Sequence, residues 1–279
     1  MGIQMGILRR RWFQVFGSGL VLLYLLERTL MHTGNPNYVP SVILLGAFLV
    51  PVTFTTYLYE TMPGWDVPFP PLAISLLWGG VLGTVVAGTL EYHVAFSLGF
   101  LPKLGIGLIE EVAKLIVPLI FYFLGRYRSE ADGIVLGVAS AMGFAALETM
   151  GYAFVSLLQS RGDLGALDAV LLARGLTSPA GHAAWTGLVC AVLWRERLRA
   201  GKAVPNGHVI GAFMVAVGLH TLWDVFASFR GATFVGFLSI EMLSLLVAVV
   251  SLTLLIRRVR EARRETRWEE ATAPDGTLG

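Results

Sequence analysis

Charge and cysteine are both scarce in this chain. Only 14% of its 279 residues are charged and only one is cysteine, whereas soluble domains carry about 25% charged residues. A lone thiol, Cys190, excludes an intrachain disulfide framework; inside an apolar run it reads as a small buried filler. The shortage of charge, beside 55% apolar residues and a mean hydropathy of +0.69, excludes a soluble domain. A net charge of only +2 gives no basic surface for nucleic acid. The chain also lacks the His-Glu-x-x-His zinc motif, the Gly-x-Ser-x-Gly nucleophile turn and a Gly-x-Gly-Asp aspartyl motif. No period of 20–50 residues repeats, which excludes a solenoid and an obvious inverted-repeat transporter.

What the chain does contain is a succession of apolar runs long enough to cross a bilayer, at about 20 residues each. They fall near 12–31, 41–59, 71–90, 103–124, 131–158, 179–195, 207–228 and 233–256. The expected fold is therefore all-α: a polytopic membrane bundle of about eight transmembrane helices, formed by residues 1–260 as a single domain. Residues 261–279 are expected to be a disordered cytoplasmic tail. Arg9, Arg10 and Arg11 precede the first span and Arg257 to Arg267 follow the last; Arg126, Arg128, Arg195, Arg197, Arg199 and Lys202 fill the loops between. An even span count with this bias puts both termini in the cytoplasm. The first span reads as a retained anchor, since no small-residue cleavage site follows it. Small residues at Gly133 and Gly137, and at Gly207 and Gly211, mark expected close helix contacts. Within the long loop 159–178, residues 167–176 form a short apolar stretch ending near Arg174, expected to lie at the interface or re-enter the membrane. Pro179 is expected to open a new helix.

Against this background six ionisable side chains stand inside apolar runs: Glu110, Glu111, Lys114, Glu148, His220 and Asp224. Each charge near the bilayer centre costs roughly 2.5–3.5 kcal/mol on insertion scales, so six persist only by meeting one another, a metal or water. At about 1.5 Å per residue, Glu110 and Glu111 fall roughly 10–12 Å below the outer end of their span, Glu148 roughly 15 Å, and His220 and Asp224 roughly 12 and 6 Å. His182 opens the sixth span roughly 5 Å down. Four spans thus deliver polar groups to the outer half of the membrane. Lys114 lies three and four residues from the glutamates and can neutralise one carboxylate, which leaves the other as a general base or water-holding carboxylate: Glu111 with Glu110 held by Lys114, or the reverse. His220 and Asp224 are also four apart, so Asp224 can orient the imidazole. Glu148, His182 and His220 can hold Zn²⁺, with Glu111 and Asp224 as further donors; without metal the same groups serve a glutamate-driven hydrolysis. Glu241 has no ionisable companion in its own span and is expected to be structural. His32, His93 and His208 take no role.

The ordered set Glu110-Glu111-Val112-Ala113-Lys114, then Phe144-x-x-x-Glu148, then His220-x-x-x-Asp224 resembles the three-motif signature of the PrsW family of intramembrane proteases. His182, in Thr177-Ser178-Pro179-Ala180-Gly181-His182, resembles that family's histidine-bearing stretch between the second and third motifs. The resemblance covers roughly residues 103–228 and does not extend to the first three spans. CAAX-processing membrane proteases and the Aph-1 scaffold subunit share the layout with different residues. Glu148 stands where the CAAX-processing type carries histidine, and Asp224 where it carries asparagine. The PrsW resemblance implies cleavage of a membrane-anchored protein near the outer face, in a multi-pass protein of a prokaryotic plasma membrane. Its partners are then the bilayer and a single-span substrate. Two other classes remain open from the residues alone: a non-catalytic scaffold or chaperone subunit, and an ion-coupled transporter.

Overall fold

A computed structural model describes residues 6–95, 102–201, 206–228 and 234–272. Its long helices, in chain order, are α1 Arg11–Thr33, α2 Val39–Thr61, α3 Phe69–Ala95, α4 Pro102–Leu124, α5 Glu130–Gln159, α6 Leu164–Thr177, α7 Ala184–Ala200, α8 Gly207–Ser228 and α9 Phe234–Thr272. A 3₁₀ turn, Pro36–Tyr38, leads into α2, and a π-helical turn, Pro179–Ala183, leads into α7. No strand occurs among the described residues. Six of the helical segments are long and apolar enough to cross a membrane: Arg11–Thr33, Pro36–Thr61, Phe69–His93, Glu130–Gln159, Gly207–Ser228 and Glu241–Arg264. The other two expected spans are helical as well, but α4 carries Glu110, Glu111 and Lys114 in its centre and α7 is only 17 residues long. Lys202, Arg230 and residues 273–279 lie outside the described residues. The expected end of the bundle near residue 260 falls within α9, which stays helical to Thr272.

The bundle is built around α5. Its apolar stretch is 83% buried, against 11–33% for the other five membrane-length segments, and every residue from 130 to 146 is buried. Small side chains make this possible, because lipid supplies no hydrophobic drive and helices associate by close backbone packing. On one side α3 crosses α5 glycine on glycine: a Cβ on Gly80 would lie 2.7 Å from the Gly143 carbonyl oxygen, and one on Gly143 would collide with the Leu76 carbonyl. On the other side α7 packs against Gly133 and Gly137, whose added Cβ atoms would lie 2.7 Å from Trp194 and 2.6 Å from Cys190 Sγ. Gly207 and Gly211, expected to act alike, have nothing within 4 Å of an added Cβ among the described residues. Spacing of four places small residues on one face but does not say that a helix stands opposite.

Polar contacts fix one end of the bundle. Ser129 and Asp132 cap the start of α5 reciprocally, at 3.0 and 2.9 Å, and Asp132 also accepts from the Asp66 N–H at 2.7 Å. Glu60, ending α2, accepts from the free amides of Arg11 and Trp12 at the start of α1, at 2.9 and 3.1 Å. Arg258 of α9 pairs with buried Glu130 at 2.5 Å, and Arg263 donates to the Thr61 carbonyl at 3.0 Å. The start of α1 and the far part of α9 therefore meet the same end of α2.

At the opposite end the chain departs from expectation at Pro179. No new helix N-terminus forms there. Ser178 is helical, its N–H and hydroxyl both donate to the Arg174 carbonyl, at 2.9 and 2.5 Å, and the Ala183 N–H reaches the Ser178 carbonyl at 3.3 Å. Proline brings no N–H of its own. The wider π turn absorbs it without breaking the helical path, so α6 runs on into α7.

Replacing Gly143 with alanine should destabilise the bundle by about 1–3 kcal/mol or more, since the methyl group has only backbone to displace. Gly211→Ala should stay within about 1 kcal/mol of wild type. Thermal unfolding in detergent compares the two, and equal stability would dismiss the crossing as a constraint.

Candidate active site

Helical spacing brings the first charges together within α4. Lys114 Nζ lies 3.0 Å from Glu110 Oε2 and 2.9 Å from Glu111 Oε1. Lys114 and Glu111 are fully buried and Glu110 is 6% exposed. The ammonium lies over the Phe144 ring at 4.5 Å, and Ser140 donates to the Lys114 carbonyl at 2.7 Å, so α5 supports the charged turn of α4 from below. One lysine thus serves both glutamates, whereas the sequence reading gave it only one of the two.

α8 adds a second partner for the glutamates. His220 Nδ1 lies 3.0 Å from Glu111 Oε1, and its Nε2 lies 3.5 Å from Glu110 Oε2. The imidazole stacks on Trp185 at 4.5 Å and 21°, and Trp185 is itself held by donating to Ser251 Oγ at 2.9 Å. Asp224 Oδ2 stands 3.8 Å from His220 Nε2, beyond a hydrogen bond. Glu111, not Asp224, orients the ring. With Thr186 donating to Glu111 Oε2 at 3.2 Å, both oxygens of Glu111 are engaged. Glu111 therefore belongs to a sealed inner layer, which leaves Glu110 as the freer of the two carboxylates between which the sequence left the choice open.

Glu110 instead faces a cavity of about 610 Å³, shared with Glu148, His182, His220, Asp224 and Arg174. Glu110 Oε2 is turned to Lys114, while Oε1 makes no hydrogen bond among the described residues. Glu148 Oε2 lies 3.3 Å from His182 Nε2 and 2.6 Å from an Arg174 guanidinium nitrogen. The π turn buries His182 and carries it to the depth of Glu148, several ångströms further in than counting residues from the span's start implies. Among the ionisable residues lining the cavity, Arg174, Glu91 and Lys103 escaped the sequence reading. Arg174 looked like the polar end of a surface helix. Glu91 is a lone acid near the end of an apolar run, the same feature that singled out Glu148, but it lies outside the motif set.

Donor atoms of Glu110, Glu148 and His182 all lie within 4.8 Å of one another. A point equidistant from three such atoms is at most about 2.8 Å from each, so shifts under about 1 Å reach the 2.0–2.2 Å of zinc ligation. Two carboxylates and an imidazole suit a borderline divalent ion. His182 Nδ1, buried without a hydrogen-bond partner among the described residues, is an orphaned polar atom in the same group. The donor set fits a metal, with Glu110 in the place expected for His220, whose two nitrogens turn to the glutamates.

A family model described as PrsW family intramembrane metalloprotease matches residues 67–255. The match spans well over half of the chain, which belongs to that family. It is accordingly an integral, multi-pass membrane protein of a protease family. No curated protein and no solved structure matches it. The match begins at residue 67 and so takes in α3, beyond the resemblance read from the motifs. Helix α3 crosses α5 at Gly143 and lines the cavity with Glu91.

Lys114→Met should cost roughly 3–5 kcal/mol, because it strands two buried carboxylates. Adding Glu111→Gln should restore part of that loss. Denaturation in detergent tests both, and a Lys114→Met protein as stable as wild type would refute the charge balance.

Proposed function

We propose that this PrsW-family protein hydrolyses a peptide bond of a membrane-anchored protein near the outer membrane face, with water as the nucleophile. The observation that carries the reading is the polar cavity itself. Glu110, Glu148 and His182, from α4, α5 and the turn before α7, converge on one water-accessible space inside a bundle of membrane helices.

Glu110 is the residue we assign as base. Its Oε1 is open to the cavity, while Lys114 and His220 hold the carboxylate in place through the other oxygen. Water adds to the carbonyl carbon, its proton passes to Glu110, and Glu110 returns it to the departing amine as the C–N bond breaks. Glu111, the other candidate base from sequence, becomes a positioning residue for His220. Glu148 and His182 would hold the metal, Zn²⁺ in our reading, beside Glu110, whose free oxygen is kept for the proton; when bound, the metal would polarise the carbonyl and acidify water. Asp224 and Glu91 line the approach.

The topology proposed is eight spans with both termini cytoplasmic in a prokaryotic plasma membrane, and a short cytoplasmic tail after the bundle. Support comes from the basic residues at both ends and from the contacts of Arg11 and Arg263 with the same end of α2. Single cysteines introduced at the termini should label from the cytoplasmic side only, with buried Cys190 silent. Labelling from opposite sides would remove the even span count.

In proteoliposomes with single-span substrates, Glu110→Gln, Glu148→Gln and His182→Ala should each lower turnover by about 10²–10⁴-fold. Chelation should abolish cleavage and zinc should restore it. Full turnover in Glu110→Gln would end the assignment of the base, and full activity in metal-free protein would end that of the metal.

A further inference from the structure

We infer that Arg174 is a catalytic residue of this cavity: the unoccupied edge of its guanidinium donates to the scissile carbonyl oxygen and stabilises the negative charge that forms there. The inference rests on the hydrolytic reading above and extends it to a helix outside the motif-bearing spans.

Arg174 lies in the last turn of α6, and α6 is seated firmly. Leu167 and Leu171 are buried against Val42, Ile43 and Ala47 of α2 and Ala153 of α5. Gly46 is glycine where it meets Leu171: a Cβ there would lie 2.8 Å from a Leu171 methyl. The guanidinium is then fixed from three sides by one face of α5. It pairs with Glu148 Oε2 at 2.6 Å, donates from Nε to Thr149 Oγ1 at 3.1 Å, and stacks on Tyr152 at 4.3 Å. Of its five N–H groups only Nε–H makes a hydrogen bond here, while Nη2 faces Glu148 as an ion pair. The remaining donors, both on Nη1 among them, find no partner among the described residues, and the side chain is 25% exposed where it lines the cavity. The open edge of the guanidinium therefore faces the cavity and not a protein partner.

Chemistry requires such a group here. When water adds to the carbonyl carbon, the C=O π pair moves to oxygen and the water proton moves to Glu110. When the intermediate collapses, that pair re-forms the carbonyl, the C–N bond breaks and the amine takes the proton. Between these events an oxyanion stands in a low-dielectric space, where donors already in place are most effective. Arginine keeps its charge throughout and presents its donors in a rigid plane. The other cations are spent or distant. Lys114 is fully buried on two carboxylates, His220 is stacked and turned to the glutamates, and Lys103, which also lines the cavity, does so seven residues before Glu110, roughly 10 Å along α4 and without a contact that fixes it among the described residues.

The test is reconstituted cleavage of a single-span substrate by wild type, Arg174→Lys, Arg174→Gln and Arg174→Ala, with Zn²⁺ affinity measured on each protein. Arg174→Gln should lose about 10²–10³-fold in kcat with KM changed only a few-fold. Arg174→Lys, which keeps a charge against Glu148 and carries the test if neutral variants misfold, should lose at least about tenfold. Guanidinium ion should restore part of the Arg174→Ala rate. Zn²⁺ affinity should stay within a few-fold of wild type in all three. Unchanged kcat would overturn the inference, as would a loss of kcat that merely follows a loss of Zn²⁺ affinity, because Arg174 would then act through Glu148. Wild-type protein that cleaves nothing would instead sink the hydrolytic reading, and the role of Arg174 with it.

Discussion

Everything polar in this bundle depends on one buried ammonium. Lys114 has no exposed surface and no water to solvate it. Alone it would be untenable in the membrane, and so would Glu110 and Glu111. Together they are held within 3.0 Å, a geometry in which mutual attraction offsets desolvation. His220 Nδ1, 3.0 Å from Glu111 Oε1, completes the buried set from α8. This balance lets α4 cross the bundle despite three charges in its centre. It also leaves one carboxylate face, that of Glu110, turned toward the cavity.

Packing serves that balance. The α3–α5 crossing at Gly143 precedes Phe144 by one residue, and Phe144 is the ring beneath the Lys114 ammonium. Ser140, which meets Gly79 of α3, is also the donor to the Lys114 carbonyl. A side chain at the glycine crossing would push α3 away and shift α5 where it supports the charged turn. The small residues of α5 are thus structural in their contacts and functional in their consequence. Helix α3, which carries none of the motif residues, lies within the family match.

The sequence made the polar layer legible because helical periodicity is rigid. Residues at i, i+3 and i+4 must share a face, so Lys114 between two glutamates and His220 near Asp224 could be read without coordinates. The orientation of that face could not. Glu110 and Glu111 differ by about 100° around the helix axis, and only the positions of α5, α7 and α8 decide which one meets the cavity. Arg174 was hidden for a different reason. Its role depends on where α6 docks, which is set by Leu167 and Leu171 against residues more than a hundred positions earlier. The π turn was hidden as well, since Ser-Pro normally marks a helix start and only tertiary packing keeps the path continuous.

The site divides into two layers with different obligations. The inner layer of Lys114, Glu111, Thr186 and His220 is closed, and its oxygens and nitrogens are matched to one another. Such a set is rigid and cannot accept a new ligand without breaking a buried pair. The outer layer of Glu110, Glu148, His182 and Arg174 keeps unmatched atoms beside open space: Glu110 Oε1, His182 Nδ1 and the free guanidinium edge. Hydrolysis inside a membrane needs both. Charged groups must be matched where lipid offers no partner, and donors must be left unsatisfied where substrate and water arrive. Glu110 belongs to both layers, through one oxygen each. The closed layer thereby sets the position of the carboxylate that the open layer presents.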